Sequence, residues 1–161
     1  MLDFDIIRTL LSVLPAMIAN ASPVIYGGGR KISKPLFGNN KTIRGFLAGV
    51  FAGLFTSILI YAISGGIYYG ENWFVIGFLQ GFGAMLGDLV GSLIKRRLKI
   101  SEGEEFFLID QLGFIIVAIL ITNHLLNFNL KQIVFVLILT FFLHKSMNIV
   151  AYFTKLKKQM H

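Results

Sequence analysis

The chain has 161 residues, of which 55% are hydrophobic and 14% charged, with a mean hydropathy of +0.74 and a net charge of +7. Soluble domains carry about 25% charged residues, so this composition excludes a soluble globular protein, and the length suits one domain. There is no cysteine, which excludes disulfides and thiol chemistry.

A membrane-spanning helix takes about 20 apolar residues. Five segments meet that requirement, at about 6–26, 43–64, 73–95, 107–127 and 131–153. The expectation is an all-α, polytopic membrane protein of five transmembrane helices, a single integral membrane domain over residues 1–161. The first segment follows "MLDFD", which is acidic and lacks the basic start of a signal peptide, so it reads as a retained helix. Asn20 and Pro23 interrupt it near its end, where freed carbonyls can line a cavity or the chain can simply kink.

The loop that follows, "YGGGRKISKPLFGNNKTIRG", runs from Tyr26 to Gly45. Its glycines permit close backbone approach, and Gly38-Asn39-Asn40 is turn chemistry. Thr42 or Asn40 is positioned to cap the next helix. That helix start, flanked by Lys41 and Arg44, reads as an anion site. It is neither a Walker motif nor a dinucleotide fingerprint, because the required glycine spacing and preceding strand are missing. In the second segment, Gly45, Gly49 and Gly53 form a small-residue stripe suited to helix packing.

The third segment ends in "GDLVGSLIKRR" and keeps a carboxylate, Asp88, inside the apolar run. Residues three, four and seven apart share a helix face, which groups Asp88 with Gly81, Ala84, Gly91, Ser92 and Lys95. At ~1.5 Å per residue, Asp88 lies roughly 10 Å from Lys95 along the axis, near one membrane face. A charge there is costly and is normally met by a wet cavity, a metal or a partner cation. An ion pair with a neighbouring helix is the plain alternative to a functional carboxylate.

Glu102, Glu104 and Glu105 read as a solvated loop. Asp110 then falls in the first turn of the fourth segment, where an acid favours the helix dipole. Taken with Asp88, it suggests two carboxylates facing one wet pocket near the same membrane face. A divalent cation would relieve their repulsion, and oxygen ligands beside a phosphate substrate suit Mg²⁺. In the fifth segment His144 reads as an interhelical hydrogen-bonder, and the roles of Lys145 and Asn148 stay open.

Thirteen of the fifteen Lys and Arg residues fall on one side of these spans, leaving Arg8 and Lys131 on the other. Basic loops mark the cytoplasmic side, so the N-terminus is expected outside and the C-terminus inside. Such short juxtamembrane loops point to anionic lipid and not to nucleic acid. No obligatory protein partner is expected.

Two aspartates, many cations and an adjoining bilayer suit a phosphate-bearing lipid and a soluble polyphosphate. A lipid phosphate can attack the α-phosphorus of a nucleotide and expel pyrophosphate without a protein nucleophile. Metal would bridge the phosphates, and Lys and Arg would clamp the leaving group.

"GDLVGSLIKRR…DQLGF" together with "NASPVIYGGGRKISKPLFGNNKTIRG" resembles the archaeal CDP-archaeol synthase family, relatives of the phosphatidate cytidylyltransferases. The resemblance covers nearly the whole chain. It implies transfer of CMP from CTP to 2,3-di-O-geranylgeranyl-sn-glycerol 1-phosphate, with Mg²⁺ required and the active site facing the cytoplasm of the cell membrane. Ser92, Lys95 and Arg96 match the Ser-x-x-Lys-Arg element of the bacterial-type signature, and Asp110 matches one of its closing acids. Gln111 and Gly113 depart from that signature, which puts the second metal ligand in more doubt than Asp88. Asn20, Pro23, Lys34, Pro35, Gly38, Lys41, Thr42 and Gly45 match the archaeal pattern in the first loop.

The resemblance and the residues together give the expected site. Asp88, Asp110 and Lys95 are catalytic, and the two aspartates also hold metal. Asn20, Lys34, Asn40, Lys41, Thr42, Arg44, Ser92 and Arg96 bind substrate. The rival expectation is a small ion-coupled transporter, whose signs would be inverted repeats and acids near the midplane.

Overall fold

A computed structural model of the protein describes residues 5–67, 70–102, 104 and 106–153, with side chains described as far as Ser146. Seven α-helical segments lie among these residues: α1 (Ile6–Ala21), α2 (Pro23–Tyr26), α3 (Lys34–Phe37), α4 (Ile43–Ser64), α5 (Trp73–Arg97), α6 (Ile109–Leu126) and α7 (Leu130–Phe153). A single 3₁₀ turn, Gly70–Asn72, precedes α5. Extended pairing among the described residues is confined to one antiparallel bridge between Lys31 and Thr42. Four spans are long and apolar enough to cross a membrane: 6–26, 43–64, 70–97 and 109–126. The fifth expected span corresponds to α7, whose side chains from 147 onward, Asn148 among them, lie outside the described residues. So do Glu105 and the tail lysines, Lys155, Lys157 and Lys158.

The helices start and stop where local chemistry directs. Asp5 caps α1, its Oδ1 accepting from the Arg8 N–H at 2.9 Å. Pro23 separates α1 from the one-turn α2, since it cannot continue the hydrogen-bond ladder. Thr42, not Asn40, caps α4, its Oγ1 accepting from the Gly45 N–H at 3.1 Å.

Helix α5 is the centre of the bundle and packs between α4 and α6 through glycine on two faces. A Cβ added at Gly53 would lie 2.7 Å from the Gly81 Cα, and one at Gly81 would lie 2.8 Å from the Val50 carbonyl oxygen. On the other face, a Cβ at Gly83 would lie 2.8 Å from the Ala118 Cα, and one at Gly87 would lie 2.7 Å from the Phe114 Cα. The expected stripe on α4 is therefore half of a backbone-to-backbone seam. In lipid, where apolar burial gives no net drive, such close packing is a main source of helix association.

Large apolar side chains such as Phe51, Phe55 and Leu120 point outward, while several polar ones are buried and hydrogen-bonded to backbone or to other side chains. Gln80 of α5 is fully buried and bridges the α1 backbone: its Nε2 donates to the Ser12 carbonyl at 2.7 Å, and its Oε1 accepts from the Ala16 N–H at 3.2 Å. Gln132 of α7 donates to the Thr9 hydroxyl at 2.9 Å. An unmet polar group in hydrocarbon costs several kcal/mol, roughly, so these pairs fix the register of α1 against α5 and α7.

One end of the bundle collects the break after α1, the 27–42 loop, the start of α4, the end of α5, the 98–108 connection and the start of α6. That end carries most of the described basic residues and both aspartates singled out in the sequence.

Candidate active site

The 27–42 loop is a closed hairpin. The Ile32 N–H donates to the Lys41 carbonyl and the Ile43 N–H to the Arg30 carbonyl, both at 3.0 Å. The returning strand carries Asn40, Lys41 and Thr42 to the flank of α5. There the Lys41 ammonium donates to both carboxylate oxygens of Asp88, at 2.6 and 2.5 Å. The two side chains retain 24% and 33% of their exposure, so the pair is reachable from the polar end. A cleft opens beside it, lined among others by Pro23, Asn40, Lys41, Thr42, Gly45 and Asp88. Gly45 is required there for space: a Cβ would press on Thr42 Oγ1 and Pro23.

Seven residues further along α5, Lys95 makes a second ion pair, 2.8 Å from Asp110 Oδ2. That oxygen also accepts from the Phe106 N–H at 2.8 Å, and Lys95 donates to the Glu104 carbonyl at 2.5 Å. Asp110 is thus built into the start of α6. The preceding residue but one, Leu108, has φ +68°, a conformation that costs a non-glycine residue about 1–3 kcal/mol. It is held by its N–H bond to the buried Gln111 Oε1, at 2.5 Å. Gln111, a departure from the bacterial-type signature, therefore has a structural task of its own.

The structure revises one expectation and narrows another. The sequence suggested one wet pocket shared by Asp88 and Asp110. Instead each carboxylate has its own lysine, and Asp110 does not line the cleft that holds Asp88. The start of α4 was expected to offer amides to an anion. The Ile43 N–H is taken by the Arg30 carbonyl and the Gly45 N–H by Thr42 Oγ1, which leaves fewer first-turn amides for such an anion.

Of the other expected site residues, Ser92 lies one turn below Asp88 and donates to its backbone carbonyl at 2.9 Å. Asn20, Lys34, Arg44, Ser92 and Arg96 do not line the cleft. Lys34 and Arg44 are exposed, Asn20 is half-buried, and Arg96 has a buried Nε with no hydrogen-bond partner among the described residues. The His144 ring packs near Phe114 of α6, with centroids 6.4 Å apart, and Lys145 is exposed. An apolar groove between the start of α6 and α7, lined by Leu108, Leu112, Leu137, Ile138, Phe141 and Phe142, lies toward the same end of the bundle.

The glutamines Gln80 and Gln132 and the residue Glu102 were not marked as bonded by the sequence. Glu102 accepts from the Asn39 backbone N–H at 2.6 Å and from its side-chain amide at 2.9 and 3.2 Å. These bonds, the side-chain one first, hold the Glu102 carboxyl below its usual range, with a smaller contribution from Arg96 and Lys31. The "solvated loop" is in this respect tied down. Asn39 shows the missed signal only in retrospect: a turn asparagine beside a glycine is ordinary, and its partner lies 63 residues away.

A helical bundle with an apolar outer surface and carboxylate–lysine pairs at one polar end defines a membrane-embedded protein that handles a charged ligand at the bilayer surface. Known proteins narrow this. A family model described as "CarS-like: CDP-archaeol synthase" matches residues 1–161. The CDP-archaeol synthase of Thermococcus kodakarensis is 41% identical over 149 residues, covering 87% of each chain. That of Archaeoglobus fulgidus is 38% identical over 177 residues, covering 98% of each. A solved structure of an intramembrane enzyme for archaeal membrane lipids biosynthesis superposes with a TM-score of 0.80 at 34% identity, over 90% of this chain and 95% of the other. The chain belongs to the CDP-archaeol synthase family. It is an enzyme of that family, and the carrier reading is left without support.

Proposed function

We propose that this chain carries out the reaction of its family, forming CDP-archaeol from CTP and 2,3-di-O-geranylgeranyl-sn-glycerol 1-phosphate. A phosphate oxygen of the lipid attacks the α-phosphorus of CTP. The bond from that phosphorus to the bridging oxygen breaks, and pyrophosphate leaves with the bonding electrons. CMP is thereby joined to the lipid phosphate.

The observation that carries this reading is the Lys41–Asp88 pair, open to the cleft at the polar end of a family member. Lys41 is a cation held in readiness by a carboxylate. A triphosphate entering the cleft competes for its ammonium, and a charge-assisted bond to phosphate replaces the one to Asp88. Asn40 and Thr42 line the same cleft and supply amide and hydroxyl groups. Lys95, with Arg96 beside it, adds positive charge further along α5. The chain offers no evident nucleophile, so its work is positioning and charge compensation.

The donor chemistry fits Mg²⁺. Asp88 supplies hard oxygen ligands, and the Lys41 ammonium on both of its oxygens supports the reading of this spot as one suited to positive charge. Asp88 would hold the ion, which when bound would neutralise phosphate oxygens; Asp110, committed to Lys95 and the Phe106 N–H outside this cleft, is not placed to share it. The proposal places five spans in the cell membrane, counting α7, with the N-terminus outside and the polar end in the cytoplasm. The apolar groove beside the start of α6 suits an isoprenoid chain of the lipid.

Purified protein in detergent, given radiolabelled CTP, Mg²⁺ and either the ether lipid phosphate or an ester phosphatidate, tests the reading. Label is expected in the lipid phase with the ether lipid. No label with either lipid, from protein shown to be folded, would end it.

A further inference from the structure

The polar end contains a contact that the reaction as described does not use. Glu102, in the connection between α5 and α6, reaches across to the tip of the 27–42 hairpin and takes three hydrogen bonds from Asn39. The Asn39 side chain is oriented from both sides: Glu102 accepts from its Nδ2, and the Lys31 ammonium donates to its Oδ1 at 2.5 Å. The next residues, Asn40, Lys41 and Thr42, form the cleft edge.

Gly38 completes the contact. Its φ is +83°, a conformation suited to glycine. A Cβ there would lie 2.5 Å from Glu102 Oε1, so a side chain would displace the carboxylate as well as strain the turn. The far side of the contact is anchored too. The Glu104 side chain accepts from the Ser101 N–H at 3.1 Å, and its carbonyl takes the Lys95 ammonium. A continuous chain of bonds therefore runs from Asp110 and Lys95, through the 98–108 connection and Glu102, to the hairpin that presents Lys41.

We propose that Glu102 is a positioning residue: by holding Asn39 it fixes the Asn40–Lys41–Thr42 edge over Asp88, and so sets the affinity of the site for CTP. The proposal rests on the reading of Lys41 as a triphosphate ligand. The Arg30–Ile43 and Ile32–Lys41 bonds close the base of the hairpin, and at its tip Asn39 is held by Glu102 together with the Lys31 ammonium. Removing Glu102 leaves the reacting groups in place but lets the cleft edge wander, which weakens ground-state binding of CTP more than the chemical step.

The test is steady-state kinetics on the full chain in detergent, varying CTP at saturating lipid phosphate and Mg²⁺, for Glu102→Ala, Glu102→Gln, Gly38→Ala and Lys41→Ala. Glu102→Ala is expected to raise KM for CTP about three- to tenfold, with kcat falling by less. Gly38→Ala should do the same from the other side of the contact. Glu102→Gln keeps an acceptor for the Asn39 N–H and should recover part of the loss. Asn39→Asp combined with Glu102→Gln reverses donor and acceptor and should recover more. Thermal unfolding in detergent reports folding for each variant, and the exposed position of Glu102 favours intact protein. If Lys41→Ala raises KM for CTP while Glu102→Ala and Gly38→Ala leave it unchanged, the positioning role is overturned and the site reading stands. If Lys41→Ala itself leaves KM unchanged, the reading of the site falls and the inference falls with it.

Discussion

Two ion pairs on one helix set two carboxylates in different surroundings. Asp88 and Asp110 both sit near the polar end, and each meets a lysine. The Asp88 partner comes from 47 residues away, on a hairpin whose edge lines an open cleft. The Asp110 partner comes from 15 residues away, and the same carboxylate oxygen holds a backbone N–H four residues upstream. Asp110 is part of the joint between α5 and α6, so its charge is committed locally. Asp88 holds the Lys41 ammonium at the edge of a cleft, and in the proposed function a phosphate claims that ammonium and frees the carboxylate for another partner. Equal residue types near the same end are therefore expected to do different work, because their surroundings differ.

The largest test of that contrast is Asp88→Asn. It removes the charge and keeps the shape, and turnover is expected to fall by about 100-fold or more while the unfolding temperature in detergent barely moves. Retained turnover would erase the distinction. Asp110→Asn should instead lower both, with activity down about tenfold and the unfolding temperature down by several degrees, because Lys95 loses its ion-pair partner at a joint that already contains a strained Leu108. A variant that lost activity alone would promote Asp110 to the same standing as Asp88. Lys41→Ala should act mainly on KM for CTP, by about ten- to a hundredfold, since a charge-assisted bond to phosphate is lost.

A smaller effect concerns acid. The Glu102 carboxyl is held below its usual range by Asn39, so its folded-state pKa is depressed. Such a group contributes fully above the ordinary carboxylate range and loses its contribution as pH falls through the lowered value. The ratio of KM for CTP between Glu102→Ala and the parent protein should then be constant from about pH 6 to 8. Orientation gives an independent check, because the chain has no cysteine of its own. A single cysteine at Gly29 should be labelled only from the cytoplasmic side, and one at Glu71 only from outside. The reverse pattern would move the whole site to the other face.

Much of the architecture was legible in the residues. The helix over Ile43–Ser64 coincides with an apolar run bounded by Thr42 and Gly65, both local signals. The break after α1 was marked by Pro23, and the seam against α5 by the glycines of α4. The site was legible by type and not by pairing. An aspartate inside an apolar run announces that something must meet its charge, but not which of five loop cations does so. Gln80, Gln132 and Glu102 stayed silent because an amide or a carboxylate has no period and no spacing that reveals a partner more than 60 residues away.

The sequence by itself determined what each segment must avoid: apolar runs avoid water, glycines give up bulk, and Asp88 cannot stay unpaired in lipid. Those are local free energies, fixed by side-chain chemistry and hydrogen-bond periodicity. The tertiary structure alone decided that Lys41 meets Asp88, that Lys95 meets Asp110, and that Glu102 meets Asn39. Those choices depend on the crossing of α4, α5 and α6 at their glycine faces, because only that close approach brings the hairpin and the 98–108 connection to the same end of the bundle.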